Sequence, residues 1–168
     1  TIKNSTIKNL NIVVTGVSGN AKNAGALAGI IDCDDSLTTS SIENVTVTYE
    51  NNFATPVIEN FGGIAGTIKN TVIKNSTVNG LVVDADAQLE NAGLIVGVNE
   101  NGTIQNSTVN GTIYATTNVG GIAGVNKGTI SNITGSVEIK YNKTVNGANA
   151  GGVVGKNRGV FSYISIKN

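Results

Sequence analysis

The sequence predicts an all-β fold, a parallel β-solenoid (β-helix) of about five rungs with a repeat of about 31 residues. Three observations predict it. A glycine tract recurs five times, as Gly25-Ala26-Leu27-Ala28-Gly29, Gly62-Gly63-Ile64-Ala65-Gly66, Gly93-Leu94-Ile95-Val96-Gly97, Gly120-Gly121-Ile122-Ala123-Gly124 and Gly151-Gly152-Val153-Val154-Gly155, with first glycines 37, 31, 27 and 31 residues apart. An independent Ile-x-Asn motif starts at Ile7, Ile42, Ile73, Ile104 and Ile130, with a degenerate copy at Phe161, at separations of 35, 31, 31, 26 and 31. The composition suits strands and turns: Ile, Val and Thr make up 58 of 168 residues, Asn 25 and Gly 22, against six Leu.

Each element of the repeat has its own signature. The glycine tract is expected to be a strand whose small Ala and Gly columns let two sheets approach closely or let the chain bend. The Ile-x-Asn motif ends a short strand, and a further strand follows it. Apolar alternation holds on both sides of the Asn but shifts by one residue across it, as in Ile7, Asn9, Leu10, Ile12 and Val14. Asn tolerates the left-handed backbone of a sharp corner, so the shift marks a bend. Stacking then places Ile7, Ile42, Ile73, Ile104, Ile130 and Phe161 in one interior ladder. The outward column beside it reads Lys8, Glu43, Lys74, Gln105, Ser131, Ser162, and its first three members alternate in sign. Rungs about 4.8 Å apart make a prism about 25 Å long.

Residues 1–168 read as one solenoid domain, a fragment of a larger protein because Thr1 is no natural start. Residues 1–23, where Ile2-Lys3-Asn4 partly duplicates Ile7-Lys8-Asn9, are expected to form an incomplete N-terminal rung. Residues 24–168 carry the repeats, with a long insertion around 31–60 where binding would be sought first.

Composition excludes several chemistries. There is no His, so a Ser-His-Asp or Cys-His nucleophile and a His-containing zinc site are impossible within the segment. One Cys rules out an intramolecular disulfide. Eleven Lys+Arg balance eleven Asp+Glu, which argues against a nucleic-acid footprint. Neither membrane insertion nor a leader segment is expected, since no apolar run approaches spanning length and no Lys/Arg-then-apolar segment opens the chain. The glycine tracts lack the Gly-Lys-Ser/Thr and following helix of a phosphate-binding loop.

The two-part motif, clearest from Gly93-Leu94-Ile95-Val96-Gly97 through Ile104-Gln105-Asn106-Ser107-Thr108-Val109-Asn110-Gly111, resembles the GLUG repeat, over about residues 24 to 166. That family occurs in large bacterial surface and secreted proteins, including adhesin-like proteins and the non-catalytic N-terminal parts of immunoglobulin-A1-specific metallopeptidases. The resemblance implies an extracellular bacterial location, on the cell wall or secreted, and a structural or adhesive role. It carries over no catalytic residue. The last repeat departs from it, losing both Asn and the later Gly.

The candidate site residues give weak signals. Asp32-Cys33-Asp34-Asp35 and Asp84-Ala85-Asp86 are acidic enough for Ca²⁺, but neither has a calcium-loop spacing, and the first follows a glycine tract while the second precedes one, so they should not stack on one solenoid edge. Solvated loop carboxylates are the preferred reading. Cys33 among acids reads as an inert thiol. A carbohydrate-cleaving β-helix needs clustered acids or an Arg/Lys base in a groove, whereas the one Arg, Arg158, lies near a chain end. Glycan adhesion would use aromatic platforms beside amides; Tyr49, Tyr114, Tyr141 and Tyr163 fall at different phases, with Tyr114 and Tyr141 nearest to one another. Sequons at Asn4, Asn44, Asn75, Asn101, Asn106, Asn110, Asn132 and Asn142 read as structural, because Asn44, Asn75, Asn106 and Asn132 share the corner column where amides can stack.

The reading is therefore a non-catalytic structural or adhesive scaffold with no catalytic, cofactor-binding or metal-binding residues. Its partners would be neighbouring domains of the same polypeptide, and a host protein or glycan. The alternatives are a carbohydrate-active β-helix fragment, or a substrate-positioning accessory region of a secreted metallopeptidase.

Overall fold

The computed structural model describes residues 1–34, 39–50, 53–83, 86–141 and 147–167, with the side chains of 53–55 left aside. These residues form strands and connecting turns without a helix, and every strand pairing is parallel. Strands numbered in chain order fall into three sheets. The first holds β1 (Ile2–Lys3), β4 (Ala28–Asp32), β7 (Ala65–Lys69), β11 (Val96–Glu100), β14 (Ala123–Asn126) and β17 (Val154–Asn157). The second holds β2 (Thr6–Val14), β5 (Ser40–Tyr49), β8 (Thr71–Lys74) with β9 (Thr77–Val82), β12 (Thr103–Ala115), β15 (Thr129–Tyr141) and β18 (Val160–Lys167). The third holds β3 (Val17–Gly25), β6 (Phe53–Gly62), β10 (Gln88–Gly93), β13 (Asn118–Gly120) and β16 (Asn149–Gly151). The chain visits the sheets in this cyclic order, so it winds as a three-sided parallel β-solenoid.

The expected interior ladder is present. Ile7, Ile42, Ile73, Ile104, Ile130 and Phe161 pair in register from rung to rung. The four middle members are fully buried, whereas Phe161 on the last rung is 47% exposed. Burying each such aliphatic side chain contributes about 1.5–3 kcal/mol, and the ladder repeats that gain at every rung.

The Asn corner is confirmed in its backbone. Asn9, Asn44, Asn75, Asn106 and Asn132 all have φ between 51° and 56°, and Tyr163, in the degenerate copy, has φ 53°. Each left-handed residue reverses the side-chain parity, which produces the one-residue shift seen in the sequence. Ser76 and Ser107, just after the bend, are buried and supply hydrogen bonds the bend removes. Ser107 Oγ donates to Gln105 O at 2.9 Å and accepts from the backbone N–H of Ser76 at 3.1 Å. Ser76 Oγ does the same toward Lys74 O and the N–H of Val45.

One expectation is corrected. The glycine tract is not one strand: its first glycine ends a strand of the third sheet and its fourth residue opens one of the first. Leu27, Ile64, Ile95, Ile122 and Val153 stack at this corner and pass N–H···O bonds of 2.9–3.1 Å between rungs. Close approach, the reason given for the small residues, holds. A Cβ on Gly66 would lie 2.6 Å from Asn60 O and 2.7 Å from Ala24 N, and one on Gly97 2.7 Å from Phe61 N.

The insertion around 31–60 is mostly regular, being β5 and β6. The extra length lies between Asp32 and Ser40, which occupy the places where Lys69 and Thr71 flank a single residue, Asn70. Hydrogen bonding absorbs it: Asn70 Nδ2 donates to Cys33 O at 3.1 Å, and Ser40 Oγ to Asp32 O at 2.9 Å. Residues 35–38 within it lie outside the described residues.

Residues 1–23, expected as an incomplete rung, contribute to all three sheets, β1 being the short member. Ile2-Lys3 aligns with Ile31-Asp32 of the first sheet, not with the column of Ile7-Lys8. Asn4, Asn70 and Asn101 carry φ of 45–58° and form a second left-handed corner, between the first and second sheets.

Candidate functional site

The outward surface is organised as ladders parallel to the solenoid axis, because in-register stacking puts equivalent side chains about 4.8 Å apart. The Lys8–Glu43–Lys74 ladder forms as expected, with Glu43 Oε2 3.1 Å from Lys8 Nζ and 3.4 Å from Lys74 Nζ. These two ammonium groups hold the Glu43 carboxyl below its ordinary pKa, the hydrogen bond from Lys8 contributing most. A second ladder escaped the sequence reading. Lys3 aligns with Asp32, Asp32 with Lys69 and Lys69 with Glu100. Glu100 reaches Lys69 at 3.5 Å and Lys127 at 3.2 Å. Charge therefore alternates over five rungs.

Asparagine forms longer ladders than the corner column. Asn60, Asn91, Asn118 and Asn149 each donate Nδ2–H to Oδ1 of the preceding rung, beginning at Asn23, over 2.6–3.0 Å. A third amide series runs the other way: Asn99 Nδ2 donates to Asn126 Oδ1 and Asn126 Nδ2 to Asn157 Oδ1, each at 2.8 Å. In the corner column Asn44 donates to Asn9 and Asn132 to Asn106, both at 3.0 Å. The signal for the longest ladder was present in the sequence, since an Asn stands two residues before the first glycine of all five tracts.

Where the third sheet meets the first, the glycine corner is re-entrant and leaves an external groove of about 440 Å³. One wall carries Asn23, Asn60 and Asn91, with Lys22 and Glu59 at its rim. The other carries Ile30, Thr67, Val98 and Val125, paired in one register column, with Lys69, Glu100 and Lys127 at its rim. Thr67 Oγ1 donates across to Asn23 Oδ1 at 2.7 Å. Glycine makes the groove, because a Cβ at 66 or 97 would collide with the opposing backbone.

The residues singled out in sequence are not brought together. Lys3 Nζ binds Asp34 Oδ2 at 2.6 Å, and Asp32 aligns in register between Lys3 and Lys69. The contact lowers the Asp34 pKa, chiefly through its hydrogen bond. Cys33 between them is buried. Asp86 is exposed at another corner, between the second and third sheets, while Asp35, Asp84 and the sequon Asn142 lie outside the described residues. Among the described residues no three acids or thiols converge as a metal site would require.

Tyr114 and Tyr141 do not pair, because the register sets Tyr114 against Lys140 and Tyr141 against Ala115. Tyr49 and Tyr114 fill the core, as expected of edge-covering tyrosines. Tyr141 and Tyr163 instead stand 45% and 83% exposed. Tyr49 Oη donates to Gly63 O at 3.0 Å, and burial raises its phenol pKa.

Fold and surface together define a parallel β-solenoid repeat protein whose outward polar groups are largely paired between rungs. Comparison with known families matches residues 89–114 to the GLUG motif. That match covers one rung, from Leu89 in β10 through the glycine corner and β11 to Tyr114 in β12. It contains the copy singled out by sequence. No curated protein and no solved structure matches the chain.

Proposed function

We propose that this chain is a non-catalytic structural or adhesive repeat scaffold of a bacterial cell-surface or secreted protein. The observation that carries the reading is the parallel, rung-to-rung stacking of three sheets, interrupted only by local shifts at Ser18–Asn20 and Val109–Gly111 among the described pairings. Many outward charged and amide side chains face their equivalents one rung away and pair there through ion pairs and amide–amide hydrogen bonds. That arrangement stiffens the chain along the solenoid axis through contacts between neighbouring rungs. Its partners are neighbouring domains of the same polypeptide, and a host protein or glycan at the outer surface.

Two experiments test the reading. Incubation with neutral and acidic polysaccharides should release no new reducing ends; sustained release by the purified chain would overturn the non-catalytic assignment. Antibody labelling of intact cells should reach the chain, and labelling only after lysis would overturn the surface or secreted location.

A further inference from the structure

We infer that the groove between the third and first sheets binds a linear, uncharged glycan lying along the solenoid axis. The inference deepens the adhesive reading and rests on it. A groove of about 440 Å³ falls within the range of small-ligand sites, which pair apolar walls with a few placed polar groups. This one divides those roles between its walls.

The amide wall is built and buried. Asn60 and Asn91 are more than nine-tenths buried, and the ladder fixes their orientation. Each carboxamide has two N–H groups, and the ladder takes one. Among the described bonds, the second N–H of Asn91 and both of Asn23 have no acceptor, and these residues line the groove. A ligand oxygen there would complete amides already held in place, so little ordering entropy opposes binding.

The facing wall is aliphatic. Ile30, Val98 and Val125 share one column with Thr67. They offer the C–H face of a pyranose ring a surface in place of an aromatic platform, since no aromatic residue lines the groove. Asn60 gives its second N–H to Glu59 Oε1 at 3.4 Å, so the open donors of Asn23 and Asn91 lie two rungs apart, about 9.6 Å, close to the advance of a disaccharide unit in an extended β-linked chain. The rims select against charge: Lys22 faces Glu59, and Glu100 sits between Lys69 and Lys127. A polyanion would find its lysines already paired with carboxylates.

The test uses isothermal titration with cello- and chito-oligosaccharides and, as the anionic arm, oligogalacturonate. Val125→Lys places a long charged side chain in the groove at a position the fold accepts, since the next member of that column is Lys156. Thr134→Lys, on the exposed face of the second sheet, is the matched control. The expected result is saturable binding of a neutral oligosaccharide, weakened about tenfold or more by Val125→Lys and retained in the control. No binding of either neutral series, equal binding by Val125→Lys at unchanged melting temperature, or binding of oligogalacturonate alone would overturn the inference. Each of these leaves the scaffold reading standing, because that reading fails on reducing-end release or cell labelling instead.

Discussion

Asn99 and Asn126 lie one above the other in adjacent rungs, both fully buried, with Asn99 Nδ2 donating to Asn126 Oδ1 at 2.8 Å. Each also closes its own turn: Asn99 Oδ1 accepts from Gly102 N at 2.9 Å and Asn126 Oδ1 from Gly128 N at 3.2 Å. In the earlier rungs the same column holds Ile31 and Ile68. At this corner Ile68 precedes the left-handed Asn70, whereas the Asn99 rung keeps a left-handed residue, Asn101, and adds an amide that caps the turn.

Removing a middle amide should therefore cost more than removing the last one. Asn126→Ala leaves Asn99 and Gly128 short of partners and should destabilise by about 1–3 kcal/mol. Asn157→Ala, at the exposed end of the series, should cost about 0.5–1.5 kcal/mol. Urea unfolding of the two variants checks the order; equal losses would show that the ladder does not act through burial.

The glycine corner predicts a contrast between neighbouring rungs. A Cβ on Gly121 would run into Gly152 O, whereas one on Gly152 meets nothing within 4 Å. Gly121→Ala should destabilise by about 1–3 kcal/mol, and Gly152→Ala should stay within about 0.5 kcal/mol of the parent. Thermal unfolding of this 168-residue chain distinguishes them.

Tyr163 is the misfit of the Asn corner column. It holds φ 53° while 83% exposed, so it bears the left-handed strain and buries little in return. Tyr163→Asn should stabilise by about 1 kcal/mol, since Asn tolerates that backbone and can donate to Asn132 Oδ1. A melting temperature at or below the parent's would refute this.

The charge ladder predicts acid sensitivity. The Glu43 pKa is lowered in the folded state, so its contribution is fully present above the ordinary glutamate pKa and fades as pH falls through the folded value. Stability measured from neutral pH into that acid range should decline less in Glu43→Gln than in the parent. The neutral-pH advantage of Glu43 should also shrink in high salt, because the site is partly exposed. Parallel acid curves for the two proteins would exclude Glu43 as a source of the decline.

Much of this structure was legible because stacking repeats a chemical requirement once per rung. The left-handed Asn announced itself by flipping the apolar alternation, and Lys8, Glu43 and Lys74 by alternating in sign. The Asp32–Lys69–Glu100–Lys127 ladder was missed although each member stands seven residues after the first glycine of its tract; only Lys3, ahead of the first tract, lies outside that spacing. The Asn23-to-Asn149 ladder had a regular spacing, but a column of Asn does not reveal whether its amides face solvent or one another.

By itself the sequence determined the β-solenoid, its period, the ladder from Ile7 to Phe161 and the bend at each Asn, because those depend on side-chain alternation and local backbone preference. Only the tertiary structure decided that the glycine tract is a corner, that the rungs have three sides and that an external groove runs between two of them. Those features depend on how closely separate strands approach. That distance is set by inter-rung hydrogen bonds and by backbone contacts at Gly66 and Gly97, between residues far apart along the chain.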